Sequence, residues 1–248
     1  MDALVMCGGE GSRLDAHVEK PQLEIGGVAM VDRVLGALTG SQVETVYVAT
    51  SPNAPATREH LQAVSQSRDV QLPNGTQRDQ PAVTLLETPG SGYVDDLLVA
   101  LESDAPSSST PVLTVAADVP LLGSDVVDRV LDRYRRLTGD ASVRGRHRTD
   151  RRGDEWSGRE GNSSSEAPIG QPSLTVCVPT SLKRRLGFTV ETTLEERPHL
   201  APTGVNVVGD TDSMTVTSYD ARLAANVNRL SDARAATALL GDGGDLCG

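Results

Sequence analysis

The first half of this chain alternates short apolar runs with stretches of helical period, and that alternation constrains the fold more than any other feature. Residues 2–7, 43–50, 83–87 and 111–117 read as strands. Met30–Leu38, Thr57–Val64, Tyr93–Leu101 and Ser124–Leu137 read as helices, with Val126, Val127, Val130, Leu131 and Tyr134 along one side of the last and Ser124 as its expected N-cap. Strands that are apolar throughout are buried on both faces. The expected architecture is therefore an α/β fold with a mostly parallel central sheet and helices on both faces. Ligands of such sheets bind beyond the carboxyl ends of the strands. Those ends lead into Gly8–Gly11, Ser51–Asn53, Gly90–Gly92 and Asp118, so these loops are expected on one edge.

The second half is less regular. Leu174–Val178 and Thr203–Val208 read as strands, Thr180–Leu186 as a short helix, and Leu230–Leu240 as a closing helix with Ser231 as its cap. Between the halves, residues 138–172 hold many arginines, glycines and serines and almost no apolar side chains. They are expected to form a mobile polar insertion within a single domain spanning residues 1–248. The arginines there could clamp phosphate, though a solvated, charge-mixed loop is the favoured reading.

Composition narrows the chemistry. The net charge is −11 over 248 residues, which repels nucleic acid and argues against a DNA- or RNA-binding role for the stretch Arg144–Arg152. Aromatic residues are 2% of the chain, so the core must come from Val, Leu, Ala and Ile. No apolar run reaches membrane-spanning length, and Met1-Asp2-Ala3-Leu4 has no basic region or cleavage site. With Cys7, Cys177 and Cys247 too scattered for a disulfide framework or a metal cluster, a cytoplasmic setting is expected. The histidines His17, His60, His147 and His199 show no metal spacing.

The first strand runs into Gly8-Gly9-Glu10-Gly11-Ser12-Arg13-Leu14, followed by Glu19-Lys20-Pro21. Glycines let the backbone turn sharply and aim several N–H groups at one anion. Arg13 offers a planar fork to phosphate oxygens and Lys20 a compact charge. The order of residues is not a P-loop, since no Gly-Lys-Ser/Thr follows, and the third glycine of a dinucleotide turn is missing. Gly8, Gly9, Gly11, Ser12, Arg13 and Lys20 are thus candidates for holding a triphosphate. Asp118, at the end of an apolar strand, is the candidate ligand for Mg²⁺, which takes few protein ligands and keeps several waters. Ser51, Asn53, Ser91, Gly92 and Asp95 are candidates for the rest of the nucleotide. Asp95 and Asp96 also suit the first turn of a helix. Gly204, Asn206 and Asn228 are candidates for an acceptor, Asn206 because an amide inside an apolar strand needs partners.

The segment from Met1 to Leu14, with Glu19-Lys20-Pro21, resembles the signature of the molybdopterin- and sugar-type nucleotidyltransferases. Three further segments, Ala49–Thr57, Gly90–Leu97 and Pro202–Val208, resemble the archaeal GTP:adenosylcobinamide-phosphate guanylyltransferases. Within the family pattern, Glu10 stands where a basic residue is common, and Gln22 replaces an apolar one. The resemblance implies a Rossmann-like fold, a homodimer, and transfer of GMP from GTP to adenosylcobinamide phosphate with release of pyrophosphate. Arg13, Lys20 and Asp118 would then be the catalytic residues. The rival readings are a molybdopterin or sugar-phosphate nucleotidyltransferase, and a non-catalytic GTP-binding regulator. Residues alone leave the base preference open, because guanine and adenine pockets differ by a few hydrogen bonds.

Overall fold

The computed structural model describes residues 1–8, 18–66, 81–103, 111–139 and 170–242. Its centre is a seven-stranded sheet of β1 (Ala3–Met6), β4 (Val46–Thr50), β5 (Val83–Glu87), β6 (Val112–Ala116), β7 (Pro172–Pro179), β8 (Leu200–Val208) and β9 (Thr211–Thr217). The order is β5-β4-β1-β6-β8-β7-β9. β1 pairs in parallel with β4 and β6, β4 with β5, and β7 with β9, whereas β8 runs antiparallel to both its neighbours. A two-residue turn joins the small hairpin β2 (Glu24–Ile25) and β3 (Val28–Ala29). Its Gly26 and Gly27 sit at φ 60° and 77°, the left-handed pair that a type I′ hairpin needs.

The helices divide unevenly. α1 (Met30–Thr39), α2 (Pro55–Gln66), α4 (Ser124–Thr138) and α6 (Leu230–Asp242) send Met30, Val34, Leu61, Val127, Leu131 and Ala236 into one large apolar cluster with Val5, Val48, Val115, Val176 and Val205. Among the described helices, α3 (Tyr93–Glu102) alone covers the other face of β1, where Ala100 meets Leu4, Met6, Ala49 and Val112. α5 (Thr180–Arg185) follows β7 directly. The expected sheet with helices on both faces is what forms, and its core is aliphatic as the composition required. Cys7 and Cys177 are free, buried thiols, and burial raises both, the latter to about 11.

The α4 stripe buries Val126, Val127, Val130, Leu131 and Tyr134 as its spacing predicts. Its cap differs. Gly123, not Ser124, is the N-cap, no side chain bonds the first turn, and Ser124 is already helical. The far end closes on Gly139 at φ 73°, whose N–H donates to the Arg135 carbonyl. Tyr134 Oη donates to the Pro172 carbonyl at 2.9 Å and ties α4 to β7. The polar stretch read from the sequence as 138–172 is narrower, since Thr138 ends α4 and Pro172 begins β7. Its expected mobility concerns residues 140–169, outside those described. No helix among the described residues is long and apolar enough to cross a membrane.

Candidate active site

Parallel pairing sets the strand ends side by side. Met6 is opposite both Ala49 and Ala116, and Thr50 is opposite Glu87, so Gly8, Ser51, Gly90 and Asp118 emerge on one edge. Hydrogen bonds then knit these loops together. Ser51 Oγ donates to the Gly8 carbonyl at 3.0 Å, and Asn53 Nδ2 donates to the Gly90 carbonyl at 2.9 Å. Asp96, only 2% exposed, accepts from the Gly90 N–H at 2.8 Å and the Ser91 N–H at 3.3 Å. Space is tight at Gly8, where a Cβ would lie 3.0 Å from Asp96 Oδ2 and 3.3 Å from Ser51 Cβ and would press on both side chains.

Part of the expected nucleotide set also has work within the fold. Ser51 is buried, and its hydroxyl joins its loop to Gly8. Asp95 is exposed in the first turn of α3, and its neighbour Asp96 organises the loop. Ser91 and Gly92 are exposed at the rim. Gly9, Gly11, Ser12 and Arg13 lie outside the described residues.

Glu19-Lys20-Pro21 is anchored from both sides. The Glu19 carboxylate accepts from the Ala56 N–H at 2.9 Å and the Thr57 N–H at 2.7 Å, capping the start of α2. Burial raises the Glu19 acid, but the bonds from Thr57 and Ala56 outweigh this and leave it below its usual range. A depressed carboxylate contributes stability that is present above its unfolded value and is lost as pH falls through the folded one. Glu19→Ala is therefore expected to cost about 1 kcal/mol at neutral pH, as lost caps do. The difference from wild type should shrink as melts are run at successively lower pH below about 4.5. A pH-independent difference would show that the charge plays no part.

The same turn delivers Lys20 to Asp118. Lys20 Nζ donates to Asp118 Oδ2 at 2.5 Å and to Asn228 Oδ1 at 2.9 Å. Asn226 Nδ2 donates to Asp118 Oδ1 at 2.6 Å, and Asn228 Nδ2 donates to Asn226 Oδ1 at 2.5 Å, closing a ring of four side chains. Lys20 and Asp118 are 19% and 16% exposed, enough for a ligand to reach them. The Val227 N–H donates to the Asp118 carbonyl at 2.8 Å, so main chain as well as side chain fixes the Asn226–Asn228 turn on the strand end. Tyr93 opens α3 nearby, its phenol raised by burial and by the Asp118 charge.

Two oxygens, Asp118 Oδ2 and Asn228 Oδ1, already share one cationic group. Hard oxygen donors of this kind fit Mg²⁺, which needs only one or two carboxylates beside substrate phosphates. Among the described residues, no group of three or more His, Cys, Asp or Glu is placed to hold a metal ion. Gln22, the departure from the family pattern, buries its Nε2 without a hydrogen-bond partner among the described residues.

Of the expected acceptor residues, Gly204 and Asn228 reach this cluster. Gly204 sits at φ 81° opposite the end of β6, where a Cβ would lie 3.0 Å from Ala116 Cβ and 3.6 Å from Asn226 Nδ2. Asn206 lies two residues deeper in β8. It is opposite Thr114 of β6 and Thr175 of β7, and Thr175 is opposite Thr215 of β9. Side chains directly opposite share a face, so four polar residues form a row across four strands. Within it, Asn206 Oδ1 is buried with no partner among the described residues.

Comparisons with known proteins bear on the family and the fold. A family model described as a MobA-like NTP transferase domain matches residues 3–242. The adenosylcobinamide-phosphate guanylyltransferase of Methanocaldococcus jannaschii is 32% identical over 134 residues, 54% of this chain and 60% of that protein. The bifunctional protein GlmU of Bifidobacterium longum is 26% identical over 141 residues, 57% of this chain and 28% of that protein. The chain thus spans less than two thirds of either relative's length. Among solved structures, a 4-diphosphocytidyl-2C-methyl-D-erythritol synthase from Anaerococcus prevotii superposes with TM-score 0.59 at 9% identity, over 97% of this chain and 95% of that one. A Bacillus anthracis structure assigned as a glucose-1-phosphate thymidylyltransferase gives TM-score 0.50 at 12% identity, over 84% and 71%. At such identities these two support the fold alone.

Proposed function

This chain belongs to the MobA-like NTP transferase family, and from that premise we propose that it moves a nucleoside monophosphate from an NTP to a phosphorylated acceptor, specifically GMP from GTP to adenosylcobinamide phosphate. The observation that carries the reading is Lys20 bonded to Asp118 and Asn228 at the carboxyl edge of the sheet. The choice of acceptor rests on the identity to the Methanocaldococcus protein and on the segments Ala49–Thr57, Gly90–Leu97 and Pro202–Val208.

In this mechanism the acceptor's phosphate oxygen forms a bond to the α-phosphorus of GTP, and the bond from that phosphorus to the leaving pyrophosphate breaks. A phosphate monoester is largely ionised near neutral pH, its second pKa being about 6. The attacking oxygen therefore needs no general base. The chain's task is to place and neutralise charge. Gly8 and the glycine turn after it cradle the phosphates, with Arg13 and Lys20 as counter-charges. Lys20 is placed to turn from Asp118 and Asn228 to phosphate oxygens, and Asp118 Oδ2 and Asn228 Oδ1 would then hold Mg²⁺. Once bound, the ion would supply Lewis-acid polarisation of phosphate oxygens. The acceptor lies over Gly204 and Asn228, at the end of the polar row that runs back through Asn206.

The test is pyrophosphate release from a panel of NTPs with Mg²⁺, run with adenosylcobinamide phosphate, molybdopterin and sugar phosphates in turn. Release with GTP and adenosylcobinamide phosphate is expected. Release only with another acceptor reassigns the substrate. GTP binding without release under any condition replaces the enzyme with a nucleotide-binding regulator.

A further inference from the structure

Asp232 is fully buried, and four donors converge on its carboxylate. Oδ1 accepts from the Thr189 N–H at 2.8 Å. Oδ2 accepts from Thr189 Oγ1 at 2.9 Å, the Asn228 N–H at 3.0 Å and the Arg229 N–H at 2.9 Å. One of these bonds is ordinary. α6 starts at Leu230, so Asp232 is its third residue, and a third-position carboxylate commonly reaches back to the residue just before the helix, here Arg229. The other three exceed what a helix start requires. The bond to Asn228 fixes the backbone one residue further out, at the position whose side chain meets Lys20 and Asn226. The two bonds from Thr189 bring in the segment after α5, and Glu191 of that segment accepts from Arg229 Nε at 3.0 Å.

The Asn226–Arg229 turn is thus held at one end by the Asp118 carbonyl, through Val227, and at the other by the Asp232 carboxylate. Its two asparagine side chains project into the site between these fixed points. We infer that Asp232 is a positioning residue for the catalytic centre: it sets where Asn228 Oδ1 stands relative to Asp118 Oδ2, and so the spacing of the oxygen pair proposed for the divalent cation. The inference builds on the nucleotidyltransferase reading. An amide cannot replace this carboxylate, because it has one accepting oxygen and would turn its own N–H groups toward at least one of the converging donors. Partners of this outer kind commonly set metal affinity or activity by about 10–100-fold.

The experiment uses the full chain with Asp232→Asn and Thr189→Val, Mn²⁺ as the probe ion and GTP as the nucleotide. In Asp232→Asn, hydrogen exchange of the backbone at residues 226–229 should rise while that of β6 stays unchanged. Mn²⁺ affinity of the protein–GTP complex, read from the paramagnetic signal of free Mn²⁺, should fall about 10–100-fold. GTP affinity measured in EDTA should stay at the wild-type value, a split that general loosening of the fold would not produce. Thr189→Val removes only the hydroxyl donor and should shift exchange and Mn²⁺ affinity in the same direction by less. It carries the test alone if Asp232→Asn does not fold. Wild-type exchange and Mn²⁺ affinity in the variant overturn the inference, as does an equal loss of metal-free GTP affinity. If the wild-type complex binds no Mn²⁺, the activity reading fails separately, and exchange at residues 226–229 still decides whether Asp232 holds the turn.

Discussion

Asp118→Asn is expected to lower turnover by about a hundredfold or more, the scale seen when one preorganised group facing a transition state is lost. The substitution keeps the side chain's shape and the main-chain bond from Val227 to the residue 118 carbonyl. It removes the charge that balances Lys20 at 2.5 Å and turns one accepting oxygen of the pair into a donor. Stability should change far less than rate, because Lys20 keeps Asn228 as a partner and neither Lys20 nor Asp118 is fully buried. Steady-state pyrophosphate release and a thermal melt check the two halves. A near-normal rate in a folded variant would remove Asp118 from the chemistry.

Lys20→Ala is expected to act in two opposite directions. Turnover should drop by about a hundredfold or more, because the triphosphate loses a counter-charge at the edge of the sheet. Binding of free Mn²⁺ without nucleotide should become tighter. In the wild-type chain the ammonium occupies Asp118 Oδ2 and Asn228 Oδ1, so an incoming ion must displace it. In the variant both oxygens are open, and Asn226 still donates to the other carboxylate oxygen and steadies it. Titration of wild type and variant with Mn²⁺, with and without GTP, separates the effects. Equal or weaker Mn²⁺ binding by nucleotide-free Lys20→Ala would show that the lysine does not compete for the position.

Much of this site was legible because its parts lie at strand ends. Gly8, Ser51, Gly90 and Asp118 each follow an apolar run, and parallel pairing brings such ends to one edge whatever the details of the loops. Lys20 stood out by its motif and Asp118 by its place at a strand end, but the bond between them is a tertiary contact that neither signal foretells. The parts that escaped are those set by tertiary contact. Asp96 and Asp95 are adjacent acids in one helix turn, and only the direction in which α3 packs buries the first and exposes the second. The caps failed for a related reason. Ser124 and Ser231 are good cap types, but α4 starts after Gly123, and Asp232 takes the work at α6 because its carboxylate can also reach Asn228 and Thr189. β9, with Thr211, Ser213, Thr215 and Thr217 alternating against Met214 and Val216, is an edge strand whose apolar content is too slight to stand out. The β2–β3 hairpin was missed, because strands of two residues carry no readable period and only the Gly26-Gly27 pair marks the turn.

The reversal of β8 divides the sheet along a seam. On one side, β5, β4, β1 and β6 send their loops to the same edge; on the other, β7 and β9 join the sheet's hydrogen-bond ladder through β8. Because its polarity is opposite, β8 enters at the edge where β6 leaves, which is why Gly204 abuts the Asn226 amide. Within the sheet, substitutions in the β7–β9 leaf reach the loops at that edge through β8 and the Asn226–Arg229 turn. A change on the far leaf that spares β8 and this turn is therefore expected to leave the four strand-end loops where they stand, much as a tool keeps its handle while the bit is changed.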